Sequence, residues 1–379
     1  MGVLRVEPHM LIQTTVQCPI HDSFRVRQLA GMFDVPLRDR AIETFTAEIP
    51  GPGEPWTIGL IVGPSGSGKT TLARIAFGDA VMTRQPWPDD RAIIDAVGDG
   101  PIQRIVAALS AVGFSSPPDW LKPYRVLSNG QQFRADLARS LLTGNDLIVF
   151  DEFTSVVDRT VAKVAACAAA KAVRSGQFCK RFVAVSCHDD IRNWLEPDWI
   201  LDMSGPGLAR GRLRRPPIAI TIRPALRGAW ELFKRHHYLS DKLAPVVRCF
   251  AGYVEDQIAV FTAVIRQTSN GRTDWREHRT VCLPDFQGVG IGNAMSELIA
   301  GAFAATGRKF RSTTGHPAMI RHRMRSLRWK VVRPPGHANS FDRRYGHRAR
   351  ASSSGRLTAS FLYFGPTYPE AARCFGLIS

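Results

Sequence analysis

The chain has 379 residues, 44% of them apolar and 22% charged, with 32 glycines and 25 prolines; this composition excludes disordered and fibrous classes. It is too long for one ordinary domain and suits two of about 150 to 200 residues. The net charge of +17 is one-sided: residues 1–210 hold 22 basic against 23 acidic residues, which leaves +18 for residues 211–379.

The first 30 residues contain Glu7, His9, Asp22 and three arginines, not an apolar signal core, and no run reaches the roughly 18 to 20 apolar residues that cross a bilayer. The expectation is a cytoplasmic protein with no membrane partner. Seven cysteines, an odd number without a C-x-x-C pair, lie mostly in apolar stretches and read as reduced thiols.

Up to residue 205, β-branched runs (WTIGLIV, DLIVF, RFVAVS) alternate with helical segments, which predicts a parallel α/β sheet. The strand Ile58–Val62 runs into Gly63-Pro64-Ser65-Gly66-Ser67-Gly68-Lys69-Thr70, and Thr71 begins a helical run. This is G-x-x-x-x-G-K-[ST] in its strand-to-helix context. Gly63, Ser65, Gly66 and Gly68 let backbone amides turn toward phosphate oxygens, Lys69 reaches the β and γ phosphates, and the Thr70 hydroxyl ligates Mg²⁺. Farther on, the apolar strand Leu147–Phe150 ends in Asp151-Glu152, one carboxylate for the metal and one for the attacking water. Between them, Leu127-Ser128-Asn129-Gly130-Gln131 opens the helical run QQFRADLARSLL.

Together these residues resemble an ABC-type ATPase: Walker A at 63–70, an LSGGQ-like signature at 127–131, Walker B at 147–152, a D-loop-like Ser155-Val156-Val157-Asp158, and a switch histidine, His188. The resemblance covers roughly residues 20–205. It implies an ATP-dependent homodimer in which Ser128 and Gly130 of one protomer close on the nucleotide of the other. It also implies a Q-loop glutamine that helps hold Mg²⁺, with Gln85 the first candidate and Gln103 the alternative. Phe24 is a candidate for stacking on adenine, with core packing as the alternative. Asn129 departs from the consensus glycine. Only 59 positions separate Lys69 from Ser128, a short helical subdomain for a transporter subunit, so a soluble ATPase acting on nucleic acid or ribosomes is the preferred reading.

Residues 206–217, rich in proline, glycine and arginine, read as a linker. A helical stretch Pro224–His237, three strands and the helix Asn293–Thr306 follow. After the strand His278–Leu283 comes Gln287-Gly288-Val289-Gly290-Ile291-Gly292, whose glycines can point successive amides at a pyrophosphate on a helix N-terminus. This order resembles the GNAT acyltransferase fold over about residues 218–333. An acyl-CoA donor is thereby implied, bound at Gln287, Gly288, Val289, Gly290 and Gly292.

The helix after the next strand offers Met324 where that family commonly has a tyrosine. The segment Lys234–Ser240 supplies His237 and Tyr238 instead, and such a pair in a basic GNAT-like domain looks like the Mom-type branch that modifies adenine in DNA. Between residues 308 and 350, 13 basic residues face one acid, Asp342, and this one-sided charge fits a polyanion. Arg321, Arg323, Arg325 and Arg328 are expected to line a phosphate backbone, with Trp329, Phe341 or Tyr345 holding an unstacked base. Arg343, Arg344, Arg348 and Arg350 are expected to form a phosphate-neutralising arm.

The reading is thus an α/β ATPase at 1–205 joined to a GNAT-like α+β domain at 218–379. Its partner is nucleic acid, DNA in preference to RNA. The competing readings are a non-catalytic nucleic-acid clamp and a transferase acting on RNA or a protein lysine.

Overall fold

The computed structural model describes residues 9–19, 21–37, 40–51, 53–82, 86–205, 207–211, 217–238, 241–269, 271–337 and 357–379. The chain forms two compact units that interleave along the sequence: residues 1–85, 144–155 and 173–215 make the first, and residues 86–143, 156–172 and 216–379 the second.

In the first unit, β1 (His9–Pro19) and β2 (Arg40–Pro50) pair antiparallel in unbroken register. The helix between them, α1 (Phe24–Phe33), is capped by the Ser23 hydroxyl and buries none of its residues. A second sheet holds β3 (Ile58–Val62), β4 (Leu147–Phe150), β5 (Arg181–Ser186), β6 (Trp199–Asp202) and β7 (Gly207–Arg210), in the order β4-β5-β3-β6-β7. The first four run parallel and β7 is antiparallel to β6. Every residue of the central β3 is buried, which is why it reads as an unbroken apolar run and not as an alternation. Gly59 has no room for a side chain, since a Cβ would stand 2.1 Å from the Trp199 ring. Helix α2 (Lys69–Phe77) follows β3. Residues 207–210, expected within a linker, form the sheet's edge, where Arg210 pairs with Glu54; a charged side chain on an edge strand discourages further pairing.

The second unit contains α3 (Ile102–Ala111), α4 (Asn129–Leu142) and most of α5 (Arg159–Arg174). Among the described residues its sheet has seven strands: β8 (Thr221–Ala225), β9 (Arg248–Val254), β10 (Gln257–Ser269), β11 (Arg272–Cys282), β12 (Phe310–Thr314), β13 (Trp329–His337) and β14 (Leu357–Tyr363). Their order is β13-β14-β12-β11-β10-β9-β8. Neighbours are antiparallel except β11 and β12, which run parallel and pair only at Trp275↔Phe310 and Arg276↔Arg311. Pairing stops there although both strands continue, so the sheet forks.

Helix α6 (Ile291–Ala304) packs Met295, Ile299 and Phe303 into a core with Val260, Val264, Trp275, Phe310, Trp329 and Phe361. Val164 of α5 belongs to that same core. The opposite sheet face is covered over part of its width by Trp230, Phe233 and Leu243, which meet Phe261, Ala263 and Val281. The expected helix at Pro224–His237 is mostly absent: Thr221–Ala225 is strand and only Trp230–Phe233 is α-helical. Pro224 fits a strand at the end of a sheet, where its missing amide hydrogen leaves no partner unpaired. Helix α7 (Pro317–Arg325) follows β12.

Candidate functional site

The glycine-rich loop of the first unit leaves β3 and enters α2. Gly63, Gly66 and Gly68 take φ of +156°, +83° and +78°, a range that a side chain disfavours at the latter two especially. Ser65 and Gly66 are exposed, and nothing lies within 4 Å of a Cβ at Gly66. The Lys69 ammonium donates to the Pro64 carbonyl at 2.6 Å. The Thr70 hydroxyl lies 3.2 Å from the Asp151 carboxylate, at the neighbouring carboxyl end of β4. Asp151 is oriented by the Glu152 amide at 2.9 Å. Glu152, which follows β4, is exposed and takes φ of +52°, a left-handed conformation uncommon outside glycine. The His188 amide donates to the Ser186 hydroxyl at the end of β5. The buried Ser67 hydroxyl has no partner among the described residues.

These groups fit a magnesium nucleotide. A cation between Thr70 and Asp151, with phosphate at Lys69, would satisfy charges and hydroxyls that the loop now leaves to one another. Thr71 continues α2 behind them. One aromatic beside the loop was missed in the sequence: the Phe45 ring of β2 lies within 2.6 Å of a Cβ placed at Gly68. Phe24 is 81% exposed on α1, so the core alternative for it is corrected. Gln85 lies outside the described residues, and Gln103 is exposed on α3.

In the second unit Ser128 caps α4 in a reciprocal pair: its hydroxyl accepts the Gln131 amide and the Gln131 side chain accepts the Ser128 amide. Such a capping box satisfies two of the four amides that every helix start leaves open. Ser128 and Asn129 are exposed, whereas Gly130 is buried with Val161 3.0 Å from where a Cβ would stand. Gln131 also donates to Asp119 at 3.0 Å. Asp119 receives Lys122 as well, and His236 lies 3.9 Å away. Burial would raise the Asp119 carboxyl, but His236, Lys122 and Ser116 outweigh it and hold it well below the usual carboxylate range.

The second glycine loop divides into a packed and an open part. The Gln287 side chain accepts the Ser115 amide at 2.7 Å and donates to the Cys282 carbonyl at 2.8 Å. A Cβ on Gly288 would stand 2.7 Å from Gly113 Cα and 2.9 Å from Ala168 Cβ. Arg134 of α4, fully buried, donates to the Asp285 carbonyl at 2.9 Å. Gln287 and Gly288 are therefore spent on packing within the unit. Gly290 and Gly292, by contrast, have nothing within 4 Å of a Cβ, and Gly290 opens α6 at φ +97°. Val289 lies between these two parts and packs against the core.

At the fork, Glu277 of β11 accepts from Ser296 and Arg323 and, with Ser312 of β12, forms a buried network. Burial would raise its carboxyl, and Arg323, Ser312, Thr280 and Ser296 instead hold it below its ordinary value. Arg323 is 1% exposed and stacks on Trp329, itself in the core. The expectation that Arg323 lines a phosphate backbone and that Trp329 holds a base is thus corrected. Arg328 pairs with Glu297, while Arg321 and Arg325 are exposed. Phe341, Tyr345, Arg343, Arg344, Arg348 and Arg350 lie outside the described residues.

His237 and Tyr238 stack on one another with ring centroids 5.2 Å apart. The Tyr238 hydroxyl accepts the amide of Gly315, just beyond β12, at 3.1 Å. The next residue, His316, holds the Ser115 carbonyl at 3.1 Å through Nε2, and its Nδ1 is buried without a partner among the described residues. Burial lowers its pKa.

No protein-family model matches the chain. A curated relative, the zinc import ATP-binding protein ZnuC of Jannaschia sp. (strain CCS1), is 32% identical over 126 residues, which are 28% of this chain and 52% of the relative. The chain thus spans about half the length of the curated relative it matches. Among solved structures, the dimeric structure of MJ0796, a bacterial ABC transporter cassette, and its post-hydrolysis state with ADP and Pi each have 17% identity and a TM-score of 0.35, covering 45% of this chain and 93% of the other. A nucleotide-free ATP-binding cassette from an ABC transporter has 19% identity and a TM-score of 0.34, covering 44% and 87%. Among the described residues no helix is long and apolar enough to cross a membrane. On the order of its motifs, the geometry at Lys69, Thr70 and Asp151, and the matched stretch of the relative, the chain carries an ABC-type ATPase-like domain of P-loop fold.

Proposed function

We propose that the chain is an ATP-hydrolysing ABC-type ATPase coupled to a GNAT-like domain that modifies nucleic acid, DNA in preference to RNA, with an acyl-CoA donor. The ATPase half is carried by the approach of the Thr70 hydroxyl to Asp151 at 3.2 Å beside Lys69. Bound Mg-ATP supplies the phosphoryl group that passes to water. Lys69 would exchange the Pro64 carbonyl for phosphate, Thr70 and Asp151 would hold the cation, Glu152 would orient the water, and His188 would sense the terminal phosphate. Ser128 and Gly130 of a second copy close the site, which makes hydrolysis depend on a homodimer.

The transferase half is supported by the fork between parallel β11 and β12, the glycine loop after β11, and Tyr238 beside the end of β12. The backbone at Val289, Gly290 and Gly292 would hold the donor's pyrophosphate at the start of α6. The donor brings the acyl group. Because Gly315 donates into the Tyr238 oxygen, the phenol proton stays free to be given to a reacting group, and His237 stacks behind it. The signature and the fork lie in one compact unit, so closure of the ATP dimer would move the fork with the signature.

The engagement of Gln287 and Gly288 in packing favours a second reading, a nucleic-acid clamp without transfer. Nucleoside mass spectrometry on DNA from cells expressing the chain, against cells expressing Gly290→Glu, separates the two. An altered nucleoside present only with the wild type is the expected result. Its absence, together with no heat from acyl-CoA in calorimetry, leaves the clamp.

A further inference from the structure

Among the described residues, one face of the second unit's sheet is covered over only part of its width, and the register of its strands says which side chains that face carries. Residues directly opposite one another on neighbouring strands share a face. Arg276 pairs with Arg311, Arg311 with Leu362 and Leu362 with Lys330; one row farther, Ser360 pairs with Arg333. The bulge between Val331 and Arg333 keeps Lys330 and Arg333 on the same side. Three side-chain contacts agree with this assignment. Arg311 reaches Asp274 at 2.8 Å, the Thr313 and Ser360 hydroxyls meet at 3.0 Å, and Arg333 donates to the Thr358 hydroxyl at 2.7 Å. Phe310, Phe361 and Trp329, which alternate with these residues, are buried in the core on the other side.

Four cations from three of these strands therefore stand on one sheet face. On that face of the described strand segments that carry them, Asp274 is the one acid; Glu277 of β11 is buried on the other side with Ser296 and Arg323. Like charges placed directly opposite, such as Arg276 and Arg311, oppose folding. Arg276 adds a second observation: it is half-buried and its side chain has neither a hydrogen bond nor an ion pair with another described residue. Burial with no opposite charge nearby lowers its pKa, the opposite of what an internal carboxylate would do. A guanidinium in that position lacks an anion that the described residues do not supply.

We propose that the face formed by Arg276 of β11, Arg311 of β12, and Lys330 and Arg333 of β13 is a docking surface for the phosphodiester backbone of DNA, leading to Tyr238 beside Gly315. Arginine suits this because its planar fork binds phosphate oxygens in pairs. The hydroxyls of Thr313, Thr358 and Ser360 between the cations add neutral contacts of the kind that fix register on a strand. The assignment rests on the nucleic-acid reading above and deepens it. It moves the contact from helix α7, where the sequence placed it, to the sheet.

The test uses the full chain and fluorescence anisotropy with labelled single-stranded and duplex DNA over a series of salt concentrations. Arg311→Ala and the exposed double variant Lys330→Ala/Arg333→Ala should each weaken binding several-fold or more. Each lost phosphate contact should also make the slope of log affinity against log salt shallower by about 0.7 to 0.9. A control, Arg321→Ala/Arg325→Ala, removes two exposed charges from α7 and should leave both readings near the wild type. The double variant keeps the test intact if Arg311→Ala, which strands Asp274, fails to fold. If the wild type binds and the control pair loses as much affinity as the sheet pair, the face assignment is overturned while the nucleic-acid reading stands. If the wild type binds no DNA at any salt, the nucleic-acid reading falls and the assignment with it.

Discussion

The chain contains two glycine loops of the same local design, each leaving a strand and opening a helix through residues at positive φ, and they are used differently. At Gly63–Thr70 the outer positions Ser65 and Gly66 are left to solvent, and the lysine is held by nothing stronger than a carbonyl of its own loop. At Gln287–Gly292 the first two residues are locked against Gly113, Ser115 and Ala168, and only Gly290 and Gly292 remain open. A glycine pattern therefore marks where backbone can approach something closely, and it leaves unsaid whether that something is a ligand or another stretch of the same chain.

The contrast can be broken most directly at Lys69. Replacing it with alanine removes the charge proposed to bind phosphate, and ATP turnover should fall on the order of 100-fold, with ATP affinity falling in calorimetry. Glu152→Gln should instead retain ATP. If Lys69→Ala hydrolyses ATP at the wild-type rate, the first loop is not the phosphate site.

A second comparison sets Gly288→Ala against Gly290→Ala. The first places a methyl where Gly113 and Ala168 already stand and should cost about 2 to 4 kcal/mol, from overpacking and positive φ together. The second meets open space and should cost about 1 kcal/mol. Equal shifts in chemical denaturation midpoints would show that Gly288 is not wedged.

Dimerisation sharpens the comparison from the other side, because the proposed function closes the first loop with a second protomer and asks nothing of one at the second loop. The Glu152→Gln chain should double its mass in light scattering when ATP is added, and Ser128→Arg on that background should prevent it. A monomer at saturating ATP removes the shared-site arrangement.

The smallest effect is expected at His278 of β11. Burial, Arg279 and Arg276 lower its pKa to about 4 from 6.5, and its Nε2 accepts the Ala244 amide at 3.1 Å. The folded state holds the neutral ring, so its stabilising share is full above pH 6.5 and is lost as pH falls toward 4. Partial exposure screens this to below about 2 kcal/mol. His278→Gln should flatten unfolding free energy against pH in that window; an unchanged slope assigns the loss elsewhere.

Much of the candidate nucleotide site was legible because its chemistry is local: Gly63 to Thr70 are contiguous, and Asp151 follows a strand that its apolar run announces. The use of Gly288 was hidden, since it depends on Gly113, far away in the sequence. Arg323 was misread for a simpler reason. On a helix, residues three apart share a face, so Arg323 goes with the buried Ile320, and the sequence pattern already set it apart from Arg321 and Arg325. The strand order around β11 and β12 was legible only in outline, because the charge on β11 to β13 shows its common face once register is known.

The contact of Gly113 with Gly288 bears on how this chain can be taken apart. Cutting it near residues 205–217, where proline and arginine invite a cleavage site, would remove α3, α4 and most of α5 from the unit they share with the seven-stranded sheet. The carboxyl-terminal fragment would present bare backbone at Gly288, an unfilled Gln287 and a core lacking Val164. Such a fragment should be prone to aggregation, whereas a tag or hinge placed between β6 and β7 of the intact chain leaves those joints whole. The natural unit of dissection here is spatial, and no single scissor position in the linear sequence yields it.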